Sequence, residues 1–125
     1  MLNLLHDFYT LETLQSTAPN TYCALITLNA EHPIFKGHFP DNPVTPGVCM
    51  LHIVKMLTQQ ITGYQLFLTQ TSQVKFAALI NPLLQPQLTL TLTIQSTSTT
   101  VEVKNITTFS DVVALKLTNS YRIVK

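Results

Sequence analysis

From Val48 to Ile61 the chain reads VCMLHIVKMLTQQI, with nine apolar residues spread over almost every side of a helical wheel. A surface helix keeps one broad polar face, and this one has none, so it is expected to be buried rather than laid on a surface. Pro46 suits a first-turn position and Gly63 suits the stop, which fixes both ends. The rest of the chain must therefore cover one long apolar helix.

The cover reads as β structure. Residues 87–97 are the cleanest case: Leu88, Leu90, Leu92 and Ile94 alternate with Thr89, Thr91 and Thr93, giving one buried and one wet face. Residues 100–109 and 111–123 continue in that style, and the turns at 96–99 and 110–111 fit hairpins, which predicts an antiparallel meander. Residues 65–78 read as a strand with a break near Ser72. Before the helix, residues 21–29 read as a strand with Tyr22, Ala24, Ile26 and Leu28 on one face, interrupted at Glu31–Pro33. Leu4, Leu5, Phe8, Leu11 and Leu14 have helical spacing, so residues 2–14 are expected to form a short amphipathic helix, with a loop at 16–20. One buried helix with five or six antiparallel strands is an α+β arrangement in which a sheet wraps the helix. The remaining sheet edge is a ready contact for a second subunit.

At 125 residues, one domain spanning 1–125 is expected. Hydrophobic residues make up 46% and charged residues 10%, too little polar cover for a lone subunit, so a dimer or higher oligomer is expected. A net charge of +1 gives no global field for nucleic acid or an anionic membrane. Cys23 and Cys49 lack clustered Cys/His spacing and read as reduced core thiols, with no metal site. The opening residues lack the basic region and cleavage site of a signal peptide, and the longest apolar run is short of a membrane span, so the cytoplasm is expected.

Just before the helix lies GHFPDNPVTPG, Gly37 to Gly47. Pro40, Pro43 and Pro46 each fix φ and remove a backbone donor, and the glycines at either end permit close approaches. The loop is expected to be stiff and to hold His38 beside the helix N-terminus. The first-turn N–H groups around Gly47 and Val48 form a small positive pole there, suited to an oxyanion. On the helix itself, His52 and Lys55 lie three residues apart on neighbouring positions of one face.

At this loop the chain resembles the β-hydroxyacyl-acyl-carrier-protein dehydratases of the FabA/FabZ type, whose signature runs GHFPxxPVxPG. Both glycines, the histidine, the phenylalanine and all three prolines match. HPIFKGHFP resembles the family's EPFFxGHFP, and QVKFAALINP resembles VKFRRPVxPGD in part. There Ala77 and Ala78 replace the arginines, and Leu83–Gln85 replaces the Gly-Asp turn. The resemblance implies a hotdog fold and a homodimer with active sites at the subunit interface. It also implies acyl thioester substrates carried on the phosphopantetheine of acyl carrier protein or coenzyme A, with no other cofactor. It maps the catalytic histidine onto His38, the oxyanion-binding amide onto Gly47, and the carbonyl that orients the histidine onto Val44. The family's Glu or Asp falls on His52.

Dehydration of a 3-hydroxyacyl thioester needs a base for the α proton, a donor for the thioester oxygen, and an acid for the departing hydroxyl. His38 titrates near working pH and serves as base, and the amide at Gly47 serves the oxyanion. His52 is the candidate for the third part, as imidazolium or by positioning a water, although two nearby imidazoles disfavour being charged together. Phe39, Val48 and Phe76 read as core or as walls for an acyl chain. Lys55 reads as a snorkelling or interface residue, and Cys49, His6 and His32 as packing or surface residues. The leading expectation is a 3-hydroxyacyl-acyl-carrier-protein dehydratase. The alternatives are a hotdog subunit that binds acyl carrier or completes an active homologue, and a thioesterase on the same fold, for which the sequence offers no clear acid near the helix.

Overall fold

A computed structural model of the chain describes residues 7–35 and 43–125. Its elements run β1 (Tyr9–Ala18), β2 (Thr21–Leu28), a short 3-10 turn (Pro33–Phe35), α1 (Gly47–Thr62), β3 (Leu66–Phe76), β4 (Gln87–Ser96), β5 (Thr100–Phe109) and β6 (Val112–Ile123). The helix ends where the sequence places its stop. Gly63 adopts φ 78, and its N–H donates to the Gln59 carbonyl at 2.8 Å, closing the last turn. At the other end Pro46 is the N-cap, extended at ψ 145, one place outside the first turn that was expected.

The six strands form one antiparallel sheet in the order β1-β2-β4-β5-β6-β3. Period-two alternation carries Leu88, Leu90, Leu92 and Ile94 to one face of β4, and Val101 and Val103 follow on β5. Against that face α1 buries Met50, Ile53, Val54 and Leu57, so the sheet wraps the helix in a hotdog architecture. Each such side chain contributes about 1.5–3 kcal/mol when fully buried. The cover is incomplete: Val48 is 59% exposed, so the helix is not enclosed on every side as its wheel suggests. Asn105, Thr107, Asn119 and Tyr121 are buried polar residues within this face. Thr107 Oγ1 donates to Asn105 Oδ1 at 3.0 Å, and Asn119 Nδ2 to the Tyr121 hydroxyl at 2.9 Å.

β4, β5 and β6 make the expected meander, but β3 does not precede β4 within it. The chain leaves α1 at the far side and β3 pairs with β6 at the sheet edge. Backbone bonds between Gln65 and residues 124–125 pin that pairing at the strand ends.

The expected helix over residues 2–14 is overturned: Tyr9–Ala18 is strand β1, residues 1–6 lie outside the described residues, and the loop expected at 16–20 narrows to a turn after Ala18. The reason is a register shift between Leu11 and Thr13. Leu11 faces Ile26 and Leu14 faces Ala24, so a bulge sets two inward residues three apart, which imitates helical spacing.

A second shift sits in β3, at the break noted near Ser72. Ser72 pairs with Thr118 but Lys75 pairs with Lys116, where an unbroken ladder would set Val74. Gln73, at φ 54, takes the extra residue, and its Oε1 accepts a hydrogen bond from Thr118 Oγ1 at 3.2 Å. One inserted residue exchanges the faces of everything after it. Phe76 consequently lies opposite buried Leu115, on the helix side of the sheet, and Lys75 points away from the helix.

Candidate functional site

Where β3 ends beside the start of α1 there is a cavity of about 630 Å³, walled on one side by Val44, Pro46, Gly47 and Val48 and on the other by Phe76 and Ile80. The two walls are tied together by the Thr45 N–H, which donates to the Ile80 carbonyl at 2.8 Å. The Ala77 and Ala78 N–H groups both donate to the Ala114 carbonyl, at 2.8 and 3.3 Å, and anchor the second wall to β6. Gly47 lets the tip of the Phe76 ring come close to the helix start here. A Cβ on it would stand 2.8 Å from Phe76 Cζ, well inside van der Waals contact.

The helix start supplies the polar part of the site. The N–H groups of Cys49 and Met50 donate to the Pro46 carbonyl at 3.0 and 3.4 Å, while Pro46 has no side-chain cap to offer. Among the described residues the amides of Gly47 and Val48 meet no acceptor, at the positive end of a sixteen-residue helix and on the cavity wall. Thr45 adds a hydroxyl beside them. It is 7% exposed, and its Oγ1 has no hydrogen-bond partner among the described residues.

Of the residues singled out from the sequence, Val44, Gly47, Val48 and Phe76 meet in this cavity. Phe76 does so as a half-open wall, 59% exposed. His38 and Phe39 lie outside the described residues. His52 does not line the cavity: it is half-buried on α1, one turn beyond Val48 and one before the exposed Met56. Its ring makes no hydrogen bond among the described residues. Desolvation, and then the Lys55 ammonium on the same helix, hold its pKa below the ordinary imidazole value of 6.5. A neutral ring follows at pH 7.

Cys49 is buried, and desolvation pushes its thiol up to about 11, which fits packing and not nucleophilic chemistry. His32 has a structural place: its Nδ1 accepts the Ile34 N–H at 3.1 Å, and its ring meets Phe8 edge-on at 5.3 Å. Sequence reasoning missed Thr45 and Ile80 as site residues. The run FAALI from Phe76 to Ile80, which abandons period two before Asn81-Pro82, is the signal that the strand gives way to a wall there. Among the described residues no group of three or more His, Cys, Asp or Glu could hold a metal ion, and no helix is long and apolar enough to cross a membrane.

Comparison with known proteins adds a family. A family model described as ApeI-like, ApeI dehydratase, matches residues 14–114. The 3-hydroxyacyl-[acyl-carrier-protein] dehydratase FabZ of Levilactobacillus brevis is 34% identical over 64 residues, 46% of this chain and 42% of that enzyme. The FabZ of Caldicellulosiruptor bescii is 31% identical over 64 residues, 46% of this chain and 44% of that enzyme. The chain thus matches less than half the length of either curated relative. Among solved structures, the dehydratase heterocomplex ApeI:P from Xenorhabdus doucetiae superposes with a TM-score of 0.73 at 18% identity, covering 90% of this chain and 96% of that one. A hypothetical thioesterase from Streptococcus pneumoniae, solved with coenzyme A, gives 0.66 at 11% identity over 93% and 85% of the two chains. Both share the fold.

Proposed function

The chain belongs to the ApeI-like family, and from that premise we propose that it dehydrates 3-hydroxyacyl thioesters, carried on the phosphopantetheine of acyl carrier protein, to trans-2-enoyl thioesters. The observation that carries this reading is the Gly47 amide, uncapped at the helix start and set in the wall of a largely apolar cavity that follows directly on the His38 loop. In this scheme the acyl chain lies against Val48 and Phe76, and the thioester oxygen accepts the Gly47 N–H. A well-placed donor of that kind is worth about 3 kcal/mol as negative charge develops. His38, oriented by the Val44 carbonyl and flanked by Phe39, takes the α proton.

The lowered pKa of His52 suits a neutral role. It holds the β-hydroxyl or a water by a hydrogen bond, and the proton that leaves with the hydroxyl as water is the one His38 has taken. Because His52 does not line the cavity of its own chain but sits one turn beyond Val48, before the exposed Met56, this scheme has the site completed by a second subunit. Phe67 and Val74 on the edge strand and Leu79 beyond it expose the apolar surface that such a partner would cover.

His52 also favours a second reading. A histidine at the family's carboxylate position suits a subunit that binds acyl carrier and completes an active homologue, and one structural neighbour is itself described as a dehydratase heterocomplex. Purified protein incubated with 3-hydroxyacyl and trans-2-enoyl thioesters of several lengths tests both. Turnover by the homodimer, lost in His38→Ala, supports the dehydratase. Turnover only after co-expression with a second hotdog subunit supports the partner role.

A further inference from the structure

Among the described residues, three buried side-chain oxygens have no hydrogen-bond partner: Thr45 Oγ1, Thr71 Oγ1 and Asn119 Oδ1. Thr71 and Asn119 lie opposite each other on β3 and β6, so a single bridging water can satisfy both. Thr45 stands apart from that pair, at the start of α1, and carries the single polar side chain among the described residues of the cavity wall. Val44, Val48, Phe76 and Ile80 around it have nothing to offer a hydroxyl. A buried hydroxyl without a partner costs the fold its desolvation with no return. The backbone cannot move to relieve it, because the Thr45 N–H is held by the Ile80 carbonyl at 2.8 Å and the following Pro46 confines Thr45 to extended conformations. The hydroxyl is left to step between staggered positions about χ1.

Thr45 precedes Gly47 by two residues, the spacing at which a threonine hydroxyl and a backbone N–H come within reach of each other. Here they are not bonded to each other, and the Gly47 N–H meets no acceptor among the described residues either. Two neighbouring donors without an acceptor therefore share one cavity wall at the positive end of α1. We propose that Thr45 is a catalytic residue whose O–H donates to the same thioester oxygen as the Gly47 N–H. The assignment rests on the dehydratase reading above. No bond is made or broken at Thr45. As His38 takes the α proton, the electron pair of that C–H bond moves into the thioester carbonyl, and two donors meet the charge on its oxygen where one amide would otherwise act alone. Such charge-assisted bonds are stronger than neutral ones, so the hydroxyl does most when the charge is largest. Its missing partner in the free protein is then the substrate itself. Thr45 also fills the last open place in GHFPxxPVxPG, so this donor belongs to the chain and not to the signature.

Thr45→Val replaces the hydroxyl by a methyl group of similar shape, and its two readouts are expected to move in opposite directions. For the 3-hydroxyoctanoyl pantetheine thioester kcat falls about a hundred-fold, the loss that follows removal of one oxyanion donor, while KM changes little because the bond strengthens only as charge develops. Tm rises by about 4 °C, because an unmatched buried hydroxyl has gone. Thr45→Ser, which keeps the hydroxyl, recovers most of the lost rate. A hydroxyl that only braces the loop gives the reverse. A Thr45→Val protein that unfolds at a lower temperature than wild type, or that keeps the wild-type kcat, overturns the proposal. If wild type turns over no thioester, alone or with a hotdog partner, the dehydratase reading fails by itself, and the carbonyl is read directly. The probe is the trans-2-octenoyl pantetheine thioester, isotope-labelled at the carbonyl carbon, whose infrared C=O stretch falls in frequency when the oxygen accepts hydrogen bonds. A smaller fall in Thr45→Val than in wild type supports the second donor. An equal fall in both proteins, or no binding to wild type, overturns it.

Discussion

Gly47→Ala separates what this glycine does for the fold from what it does for the site. The new Cβ lands 2.8 Å from Phe76 Cζ. Carbon atoms rest at about 3.5–4.0 Å, so the ring tip must retreat by about 0.7 Å or more. In a sealed core that overlap would cost about 1–3 kcal/mol. Here Phe76 is 59% exposed and swings outward, while alanine gains up to about 1 kcal/mol over glycine from helix propensity and reduced unfolded-state freedom. Stability should stay within about 1 kcal/mol of wild type, the two terms nearly cancelling. Activity should not, because the displaced ring is a cavity wall and a misplacement of about 1 Å costs on the order of a hundred-fold in rate. Thermal unfolding followed by circular dichroism reads the first quantity, and kcat/KM for enoyl thioester hydration reads the second. Phe76→Ala in the Gly47→Ala background removes the clash and should recover part of the lost efficiency. A loss of several kcal/mol that Phe76→Ala does not relieve, or undiminished kcat/KM in Gly47→Ala, would refute the packing relation between these two residues.

Leu92→Ala, at a fully buried position opposite Asn105, should cost about 2–5 kcal/mol in denaturant unfolding; a loss under about 1 kcal/mol would contradict the buried inner face of β4. The β5–β6 hairpin turns through Ser110 and Asp111 at φ 47 and 62, a conformation that Asn-Gly adopts more readily, so Ser110→Asn with Asp111→Gly should stabilise by about 1 kcal/mol, read as a higher Tm. His52 has its folded pKa below its ordinary value of 6.5, so between the two the unfolded chain binds more protons. Its neutral state contributes stability above pH 6.5 that is lost as pH falls toward the folded pKa, and His52→Gln should flatten that acid limb in pH-dependent denaturation. Parallel limbs in both proteins would show that the ring is not desolvated.

The sequence was most legible where period and punctuation agreed. Leu88 to Ile94 alternate because one face is buried, and Gly63 stops the helix because its φ is positive. Misreadings came from bulges. The shift after Leu11 spaced two inward leucines like a helix, and the shift at Gln73 decided which face Lys75 and Phe76 take, which no propensity states. The start of the site was visible in the prolines and glycine around Val44 to Gly47. Its opposite wall was not, because Ile80 is tied to it by a backbone bond to Thr45, 35 residues distant in sequence by the two residue numbers. The Lys75–Lys116 register across β3 and β6 was likewise invisible until the strands were aligned.

The proton that leaves the α carbon can be followed directly. With a trans-2-enoyl thioester in deuterated water, wild-type protein should yield 3-hydroxyacyl product carrying deuterium at the α carbon, detected by NMR, and His38→Ala should yield none. Equal deuterium incorporation by the His38→Ala variant, or none by wild type alone or with a hotdog partner, would contradict the assignment of that histidine as the base.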